Sequence, residues 1–298
     1  SGLAAIYKIA LGWGIDDRDY ETLAREAAEK AIQLGPELSL PYAVLALGVV
    51  MDLPVDYERS LALFDEALAK NPKNTTAYLW RMVVYLDLGY FDRAERDAEQ
   101  CLKIDPAYDI CRSFQALAAL FRGDTTRALE IHETALRNGF YGNVDPFLYF
   151  YAATGEERTA LIAIAANNAA RGTNKATVYE YQALTDPAFD YDAEKTLIEQ
   201  AYIPAGATEA DWSPDHPNIL FLYRQYDQIR TTDQPLWWFP YPTEFRDSPQ
   251  RKRLMREAGM HEYWRKHGFP PRCEPVGEDY FECTFPDTQR SSARTLVN

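Results

Sequence analysis

The residues whose types point most directly to chemistry are the four cysteines. Cys101 lies close in sequence to Cys111, and Cys273 lies close to Cys283. The even count permits two disulfides in any of three connectivities. A Cys273–Cys283 bond would close a short loop, which would stabilise the fold by roughly 2–3 kcal/mol through the entropy of the unfolded chain. The alternative is four reduced thiols, with Cys101 serving as a small core residue.

The state of these cysteines also carries a prediction about cellular location. Disulfides persist in oxidising compartments, so they predict a periplasmic location, as part of an inner-membrane protein. Reduced thiols would instead indicate the cytoplasm. The longest apolar run, residues 41 to 51, is too short to cross a bilayer, so we predict no membrane span within this chain.

The other reactive side chains do not form a catalytic or metal-binding pattern. His261 and His267 are too far apart to share one helix face, and neither cysteine pair has the spacing of a zinc knuckle. His132 occupies a helix-packing position, which favours a core histidine. The sequence shows no phosphate-binding loop and no nucleophile elbow. We therefore predict a protein that is not an enzyme and that has no cofactor and no metal.

A repeat of prolines organises the first half of the chain. Pro36, Pro72 and Pro106 are separated by 36 and 34 residues, and Phe140 takes the corresponding place 34 residues later. A period of 34 residues is typical of stacked pairs of antiparallel helices. Between the prolines, small and aromatic residues recur at the same positions, as close helix packing requires. Gly89, Gly123 and Gly155 lie where the first helix of a pair must end.

The repeat predicts an all-α fold, a right-handed α-solenoid of helix pairs with a helical and irregular aromatic cap at its C-terminal end. Five pairs are expected near residues 5–36, 41–72, 75–106, 109–140 and 143–171. The first domain is accordingly residues 1–171. A C-terminal extension over residues 172–298 is expected to pack on the solenoid, with an irregular tail from 284 to 298.

The pattern resembles the tetratricopeptide repeat family over residues 5 to 171. Members of this family bind ligands along a concave surface lined by the first helix of each pair. The resemblance therefore implies a groove for a protein or peptide partner, or for a small apolar ligand. Its lining residues would be Trp13, Tyr42, Leu45, Val49, Leu79, Val83, Leu117, Phe147 and Tyr151. Family members that bind chaperones clamp a terminal carboxylate there with Lys, Arg and Asn, whereas these positions are apolar, so no such clamp is expected.

The C-terminal region is rich in aromatic residues that require burial. Those singled out are Trp237, Trp238, Phe239, Tyr241, Tyr263 and Trp264. We interpret them as a plug that packs against the repeats and fills the groove; the alternative is an aromatic ligand box. Ser248 and Pro249 predict the start of a helix that ends at Gly259, followed by a short helix that ends at Gly268.

Charge is unevenly distributed between this region and the rest of the chain. The formal net charge is −14, which argues against binding of nucleic acid. Residues 246–272 nevertheless contain eight basic and three acidic residues. This segment is either a patch for an acidic partner or a surface that docks on the acidic remainder of its own chain.

The final stretch of the chain supports a second resemblance. The Tyr263-Trp264-Arg265 core and the closing Pro-Pro-Arg-Cys273 are similar to the end of a bacterial family. Its members carry a tetratricopeptide array after a winged-helix or nucleotide-cyclase domain. The resemblance implies a sensory, ligand- or protein-binding part of a membrane-anchored regulator whose effector domain lies outside this chain. The alternative is a constitutive interaction scaffold, for instance a homodimer through its end repeats.

Overall fold

The computed structural model describes most of the first 140 residues and a segment near the C-terminus. The described residues are 1–12, 19–140, 147, 151, 161, 165, 181–182, 186, 188–190, 193–194, 196, 226–231, 237–238 and 243–285. Trp13, Phe239, Tyr241, the 286–298 tail and most of the predicted fifth repeat lie outside them. The chain divides into two compact units: unit 1 is Ser1–His132 with Lys252–Thr284, and unit 2 is Glu133–Arg251 with Phe285–Asn298. The predicted boundary at residue 171 stays a prediction.

Helices make up nearly all the secondary structure described. In the repeats they are α1 (Gly2–Gly12), α2 (Tyr20–Leu34), α3 (Ser39–Val49), α4 (Tyr57–Lys70), α5 (Thr75–Asp87), α6 (Phe91–Ile104), α7 (Asp109–Arg122) and α8 (Thr125–Arg137). Downstream, a 3-10 turn (Tyr226–Gln228) precedes α9 (Thr243–Arg246), α10 (Pro249–Glu257) and α11 (Met260–His267). Two short strands follow, β1 (Cys273–Val276) and β2 (Tyr280–Cys283).

The predicted repeat is confirmed by the positions of the helices. The second helices of successive pairs, α4, α6 and α8, begin at residues 57, 91 and 125, which are 34 apart. The turns that join one pair to the next share one hydrogen bond, in which the amides of Leu38, Asn74 and Tyr108 donate to carbonyls three residues earlier. The fold is thus an all-α solenoid of helix pairs.

The helices begin and end where the local sequence requires it. The Asn74 side chain accepts a hydrogen bond from the Ala77 amide at the start of α5, and Asp56 caps α4 in the same way. Gly123 ends α7 with φ 92°, and Gly89 follows α5 with φ 77°. A side chain rarely adopts this left-handed conformation, so glycine is favoured at both turns.

Small side chains lie at the contacts between the helices. Ala28, Ala67, Ala94 and Ala98 have no exposed surface, and Phe64 between them is equally buried. Because a methyl group occupies little space, the helix axes approach closely and larger neighbours fill what remains. The core of unit 1 therefore runs continuously through the stacked pairs.

Specific polar and covalent links join successive pairs. The Ser39 hydroxyl donates to the Ala67 carbonyl at 2.6 Å, and the Asn74 amide donates to the Ser39 hydroxyl at 2.7 Å. Farther along, a disulfide joins Cys101 at the end of α6 to Cys111 at the start of α7. These two joints are therefore held by directional or covalent links in addition to apolar packing.

The strand pair in the C-terminal segment was not predicted. β1 and β2 are antiparallel, with Cys273 opposite Cys283 and Val276 opposite Tyr280. The second disulfide joins Cys273 and Cys283. Alternation is poor in this stretch and Pro275 lies within β1, so strand periodicity gave no signal. The helices over 249–259 and 260–268 do begin and end as predicted, and the Ser248 hydroxyl accepts from the Arg251 amide at 3.1 Å.

His132 provides a test of the buried core through the pH dependence of stability. The side chain is 1% exposed, and burial lowers the pKa of His132 to about 4. The unfolded chain therefore binds a proton below about pH 6.5 that the folded chain does not bind until about pH 4. Stability present above pH 6.5 is lost as the pH falls through this window, by roughly 2–3 kcal/mol.

We expect His132→Leu to lose less stability between pH 7 and pH 4.5 than the parent chain does. The measurement is urea unfolding at both pH values. The difference between the two proteins in the loss of unfolding free energy gives the contribution of His132. Equal losses in the two proteins would show that His132 is not the buried neutral group.

Candidate interaction surface

The predicted groove residues that the structure describes in unit 1 have little exposed surface. Tyr42, Leu79 and Leu117 are buried, with exposed fractions of 8%, 4% and 2%. Leu45, Val49 and Val83 are half-buried. Phe147 and Tyr151 are buried residues of unit 2, where their rings lie 6.4 Å apart. The groove as a binding site therefore stays a prediction.

The C-terminal part of unit 1, residues 252–284, packs on a different surface. We call this surface the turn edge; it consists of the turns within the helix pairs, at residues 50–56, 88–90 and 123–124. The indole N–H of Trp264 donates to the Leu88 carbonyl at 3.0 Å, and Trp264 has no exposed surface. The Val55 amide donates to the Ala258 carbonyl at 3.1 Å. The predicted self-docking thus occurs on the turn edge within unit 1.

Glycine at position 259 allows this close approach. Gly259 has φ 88°, and a Cβ atom added there would lie 2.7 Å from the Val55 carbonyl oxygen. Such a distance is shorter than any normal carbon–oxygen contact, so a larger residue would push α11 away from the turn. Glycine at 259 therefore both ends α10 and allows the segment to dock.

Aromatic and basic side chains complete the docking. The Tyr263 ring makes edge contacts with Tyr57 and Tyr90, at centroid distances of 6.0 and 6.2 Å. The basic residues of the segment also find partners in the repeats. Lys266 forms an ion pair with Glu58, and the Arg272 guanidinium donates to the Arg122 carbonyl.

The Trp264 and Arg272 donors bind carbonyl groups at the ends of repeat helices. Leu88 is the C-terminal cap residue of α5, and Arg122 is the last residue of α7. Carbonyls at the end of a helix have no partner within that helix. The indole of Trp264 and the guanidinium of Arg272 therefore satisfy acceptors that the repeats cannot satisfy for themselves.

The remaining predicted plug residues belong to unit 2. Trp237 and Trp238 are 5% and 4% exposed. They surround Arg251, which is 1% exposed and donates two hydrogen bonds to the Trp237 carbonyl, at 3.1 and 2.8 Å. The Arg251 guanidinium also lies 4.4 Å from the centre of the Phe285 ring. The structure thus separates the predicted plug into two clusters, one in each unit.

A network of ion pairs links neighbouring helices of the repeats. Arg81 on α5 lies between Asp65 of the preceding helix and Asp97 of the following one, with nitrogen–oxygen distances of 2.5 and 2.6 Å. Burial lowers the pKa of Arg81, but its hydrogen bonds to Asp97 outweigh this effect and hold the pKa above its usual value. Glu95 is likewise paired with Arg122 and Arg127.

Arg81 and its acidic partners were not among the residues predicted from the sequence. A signal was present, because Asp65 and Asp97 lie 16 residues before and after Arg81. An arginine in an otherwise apolar position requires a carboxylate within reach. The two acids that the repeat places on either side were therefore the candidates.

The opposite side of unit 1, which we call the inter-repeat edge, carries an open cleft. It lies where the turns between helix pairs, at 35–38 and 71–74, come together, and its volume is about 460 Å³. Its lining combines polar and apolar groups: Ser1, Glu37, Leu38, Ser39, Leu40, Asn71, Lys73, Asn74, Thr75 and Thr76. Leu38 is 39% exposed, and nearby in sequence Leu34 is 76% exposed. Apolar side chains rimmed by hydrogen-bonding groups are typical of a protein-binding surface.

The first helix also presents an apolar face to solvent. Leu3, Ile6 and Ile9 are 55%, 64% and 46% exposed. Lys8, the one charged residue of α1, is buried and pairs with Glu21. The exposed face of α1, as far as the structure describes it, is therefore uncharged.

Comparison with known proteins shows that the repeats are similar in sequence to those of tetratricopeptide proteins. No protein-family model matches the chain. It is 27% identical over 82 residues to Hsp70-Hsp90 organizing protein 3 of Arabidopsis thaliana, which covers 28% of this chain and 15% of that protein. It is 32% identical over 81 residues to small glutamine-rich tetratricopeptide repeat-containing protein 2 of Saccharomyces cerevisiae, covering 27% and 23%. A peptide N-acetylglucosaminyltransferase of Giardia intestinalis is 28% identical over 109 residues, covering 35% and 7%.

The chain therefore spans less than a quarter of the length of these relatives, which share its repeats. The similarity extends over about two to three repeats of 34 residues. It supports a protein-interaction domain and gives no support to a bacterial regulator.

The predicted periplasmic location is wrong. Its basis was the pairing of the cysteines, but the matched relatives, Hsp70-Hsp90 organizing proteins of plants and a tetratricopeptide protein of yeast, give no support to a periplasmic location. Among the helices that the structure describes, none is both long enough and apolar enough to cross a bilayer.

The buried ion pair of Arg81 gives a prediction about stability. Arg81→Met should leave the Asp97 carboxylate buried without its main partner, at a cost of about 3 kcal/mol. Replacing both residues, as Arg81→Met with Asp97→Leu, should recover much of that loss, because no charge is then left buried. Asp65→Asn is the matched control, since Asp65 is largely exposed and should cost under about 1 kcal/mol. Chemical denaturation measures all three, and a double variant no better than the single one would contradict the interpretation.

The Trp264 contact gives a second prediction, about docking of the C-terminal segment. Trp264→Phe keeps an aromatic ring but removes the donor to Leu88, and should cost about 1–2 kcal/mol. Trp264→Ala also leaves a cavity and should cost about 3–5 kcal/mol. Hydrogen exchange in α11 should rise in the same order. Unchanged exchange in both variants would show that Trp264 does not anchor the segment.

Proposed function

We propose that this chain is a non-catalytic scaffold whose repeats bind a partner protein. The observation that carries the proposal is the similarity of the repeats to Hsp70-Hsp90 organizing proteins and to a yeast tetratricopeptide protein. A solenoid suits this role because stacked pairs present a long, pre-formed surface, so little ordering is needed on binding.

The inter-repeat edge is the surface that we assign to the partner. Among the described surfaces of unit 1, the turn edge is occupied by residues 252–284, and the predicted groove positions on α3, α5 and α7 are buried or half-buried. The cleft at the inter-repeat edge combines the exposed Leu38 with the Lys73 side chain and with Asn71 and Thr76. Such a lining suits a protein segment that offers one apolar side chain together with hydrogen-bonding groups.

The names of the relatives supply the first partners to test. Hsp70 and Hsp90 appear in the names of the organizing proteins of Arabidopsis thaliana and Triticum aestivum. Because the groove positions are apolar, binding of either chaperone should not depend on a clamped terminal carboxylate.

We expect full-length Hsp70 or Hsp90 to bind this chain with a dissociation constant on the order of micromolar, as measured by isothermal titration calorimetry. Leu38→Ala and Lys73→Glu should each weaken binding at least about fivefold, the loss expected for about 1 kcal/mol. Lys30→Glu, the same charge change on the exposed surface of α2, should leave it unchanged. Removing the chaperone's last residues should also leave it unchanged.

Two results would contradict this proposal. Equal weakening by Lys30→Glu would show that the cleft is not the binding surface. Binding of neither chaperone, together with concentration-dependent self-association in sedimentation, would favour a homodimer through the uncharged face of α1, which Ile6→Glu should then disrupt.

A further inference from the structure

The Cys273–Cys283 disulfide closes the open end of the C-terminal hairpin. The strand register pairs Cys273 with Cys283, then residues 274, 275 and 276 with 282, 281 and 280, and the turn follows at Gly277. The bond therefore joins the pair that lies farthest from the turn. A two-stranded hairpin of four residues per strand is marginally stable on its own, so its order depends on this crosslink and on packing.

The hairpin in turn supports the residue that anchors the segment. Phe281 on β2 is 1% exposed, and its ring lies edge-on to Trp264 with centroids 5.2 Å apart. The same ring stacks on His261 at 5.5 Å. Trp264 then reaches the turn edge through its hydrogen bond to Leu88. A continuous series of contacts thus connects the disulfide, through Phe281 and Trp264, to the repeats.

The two disulfides differ in their accessibility to a reductant. Cys101 and Cys111 have no exposed surface, and Cys101 lies beneath the Thr75 carbonyl, 3.8 Å from its sulfur. Cys273 is 8% exposed, whereas Cys283 is half-buried and precedes the exposed Thr284. Exchange requires a thiolate to approach one sulfur of the bond directly, so the hairpin disulfide is the accessible one.

We propose that Cys273–Cys283 is a thiol–disulfide exchange site at which a dithiol reductant releases α11 from the turn edge. The thiolate of the dithiol attacks the more accessible Sγ of Cys283, which forms a mixed disulfide and expels Cys273 as a thiolate that takes up a proton. The second thiol of the reductant then attacks the mixed disulfide and releases the Cys283 thiol. The dithiol leaves as a disulfide, having given two electrons to the protein.

Reduction removes the constraint on the hairpin and thereby the support for Trp264. The Leu88 carbonyl and the Tyr57 ring then become accessible on the turn edge, while the Cys101–Cys111 bond keeps its repeats joined. This inference does not rest on the proposed partner or on the inter-repeat cleft, because it concerns the opposite edge of unit 1.

The test uses the full chain in graded concentrations of dithiothreitol. Alkylation of free thiols followed by peptide mass analysis identifies which disulfide has opened, and hydrogen exchange follows α11 and the hairpin. We expect Cys273 and Cys283 to be alkylated at a lower reductant concentration than Cys101 and Cys111. Exchange over residues 260–283 should then rise roughly 30-fold to 150-fold, the range expected for loss of a short-loop crosslink. Exchange in α2 should not change.

Paired variants separate the two bonds. Cys273→Ser with Cys283→Ser should show fast exchange in α11 without reductant, and Cys101→Ala with Cys111→Ala should keep the response to dithiothreitol. Retained protection of α11 after Cys273 and Cys283 are alkylated would overturn the proposal, as would earlier opening of Cys101–Cys111. If a variant fails to fold, the titration of the unmodified chain decides alone.

Discussion

A helix pair of this sequence cannot cover its own apolar face, and this constraint shapes the rest of unit 1. Each pair must be covered by a neighbour, so the pairs stack, and the stacking requires small residues where helices cross. Ala28, Ala67 and Ala98 meet that requirement. The Ser39–Asn74 hydrogen bond and the Cys101–Cys111 disulfide then fix the orientation of neighbouring pairs, which apolar contact alone does not specify.

Stacking also creates two edges, the turn edge and the inter-repeat edge, whose backbone groups require different hydrogen-bond partners. At the turn edge, first helices end and expose carbonyls, and residues 252–284 supply the donors in Trp264 and Arg272. At the inter-repeat edge, first helices begin, and the Asn74 side chain caps α5 from within the repeats. One edge is therefore completed by a distant segment, while the other is completed within the repeats and leaves its cleft open to solvent.

The sequence predicted the features that repeat or that depend on local geometry. Pro36, Pro72 and Pro106 defined the period, Gly89 and Gly123 defined helix ends, and the position of His132 in the repeat indicated a core residue. The surface on which α11 docks could not be predicted, because it depends on contacts between residues as distant as Leu88 and Trp264. Tyr263 and Trp264 were recognised as residues that need burial, but their aromatic character does not specify which surface buries them.

The distance along the chain between the repeats and their C-terminal segment has a consequence for folding. Leu88 and Trp264 are separated by 176 residues, whereas contacts within the repeats are local. Local contacts form quickly, and distant ones must wait for loop closure. During synthesis the repeats can fold before residues 252–284 have been made, so the ribosome-bound chain exposes Tyr57 and Tyr90 until that segment emerges. Transiently exposed aromatic surface favours aggregation, so this interval is the one in which the repeats are most open to it.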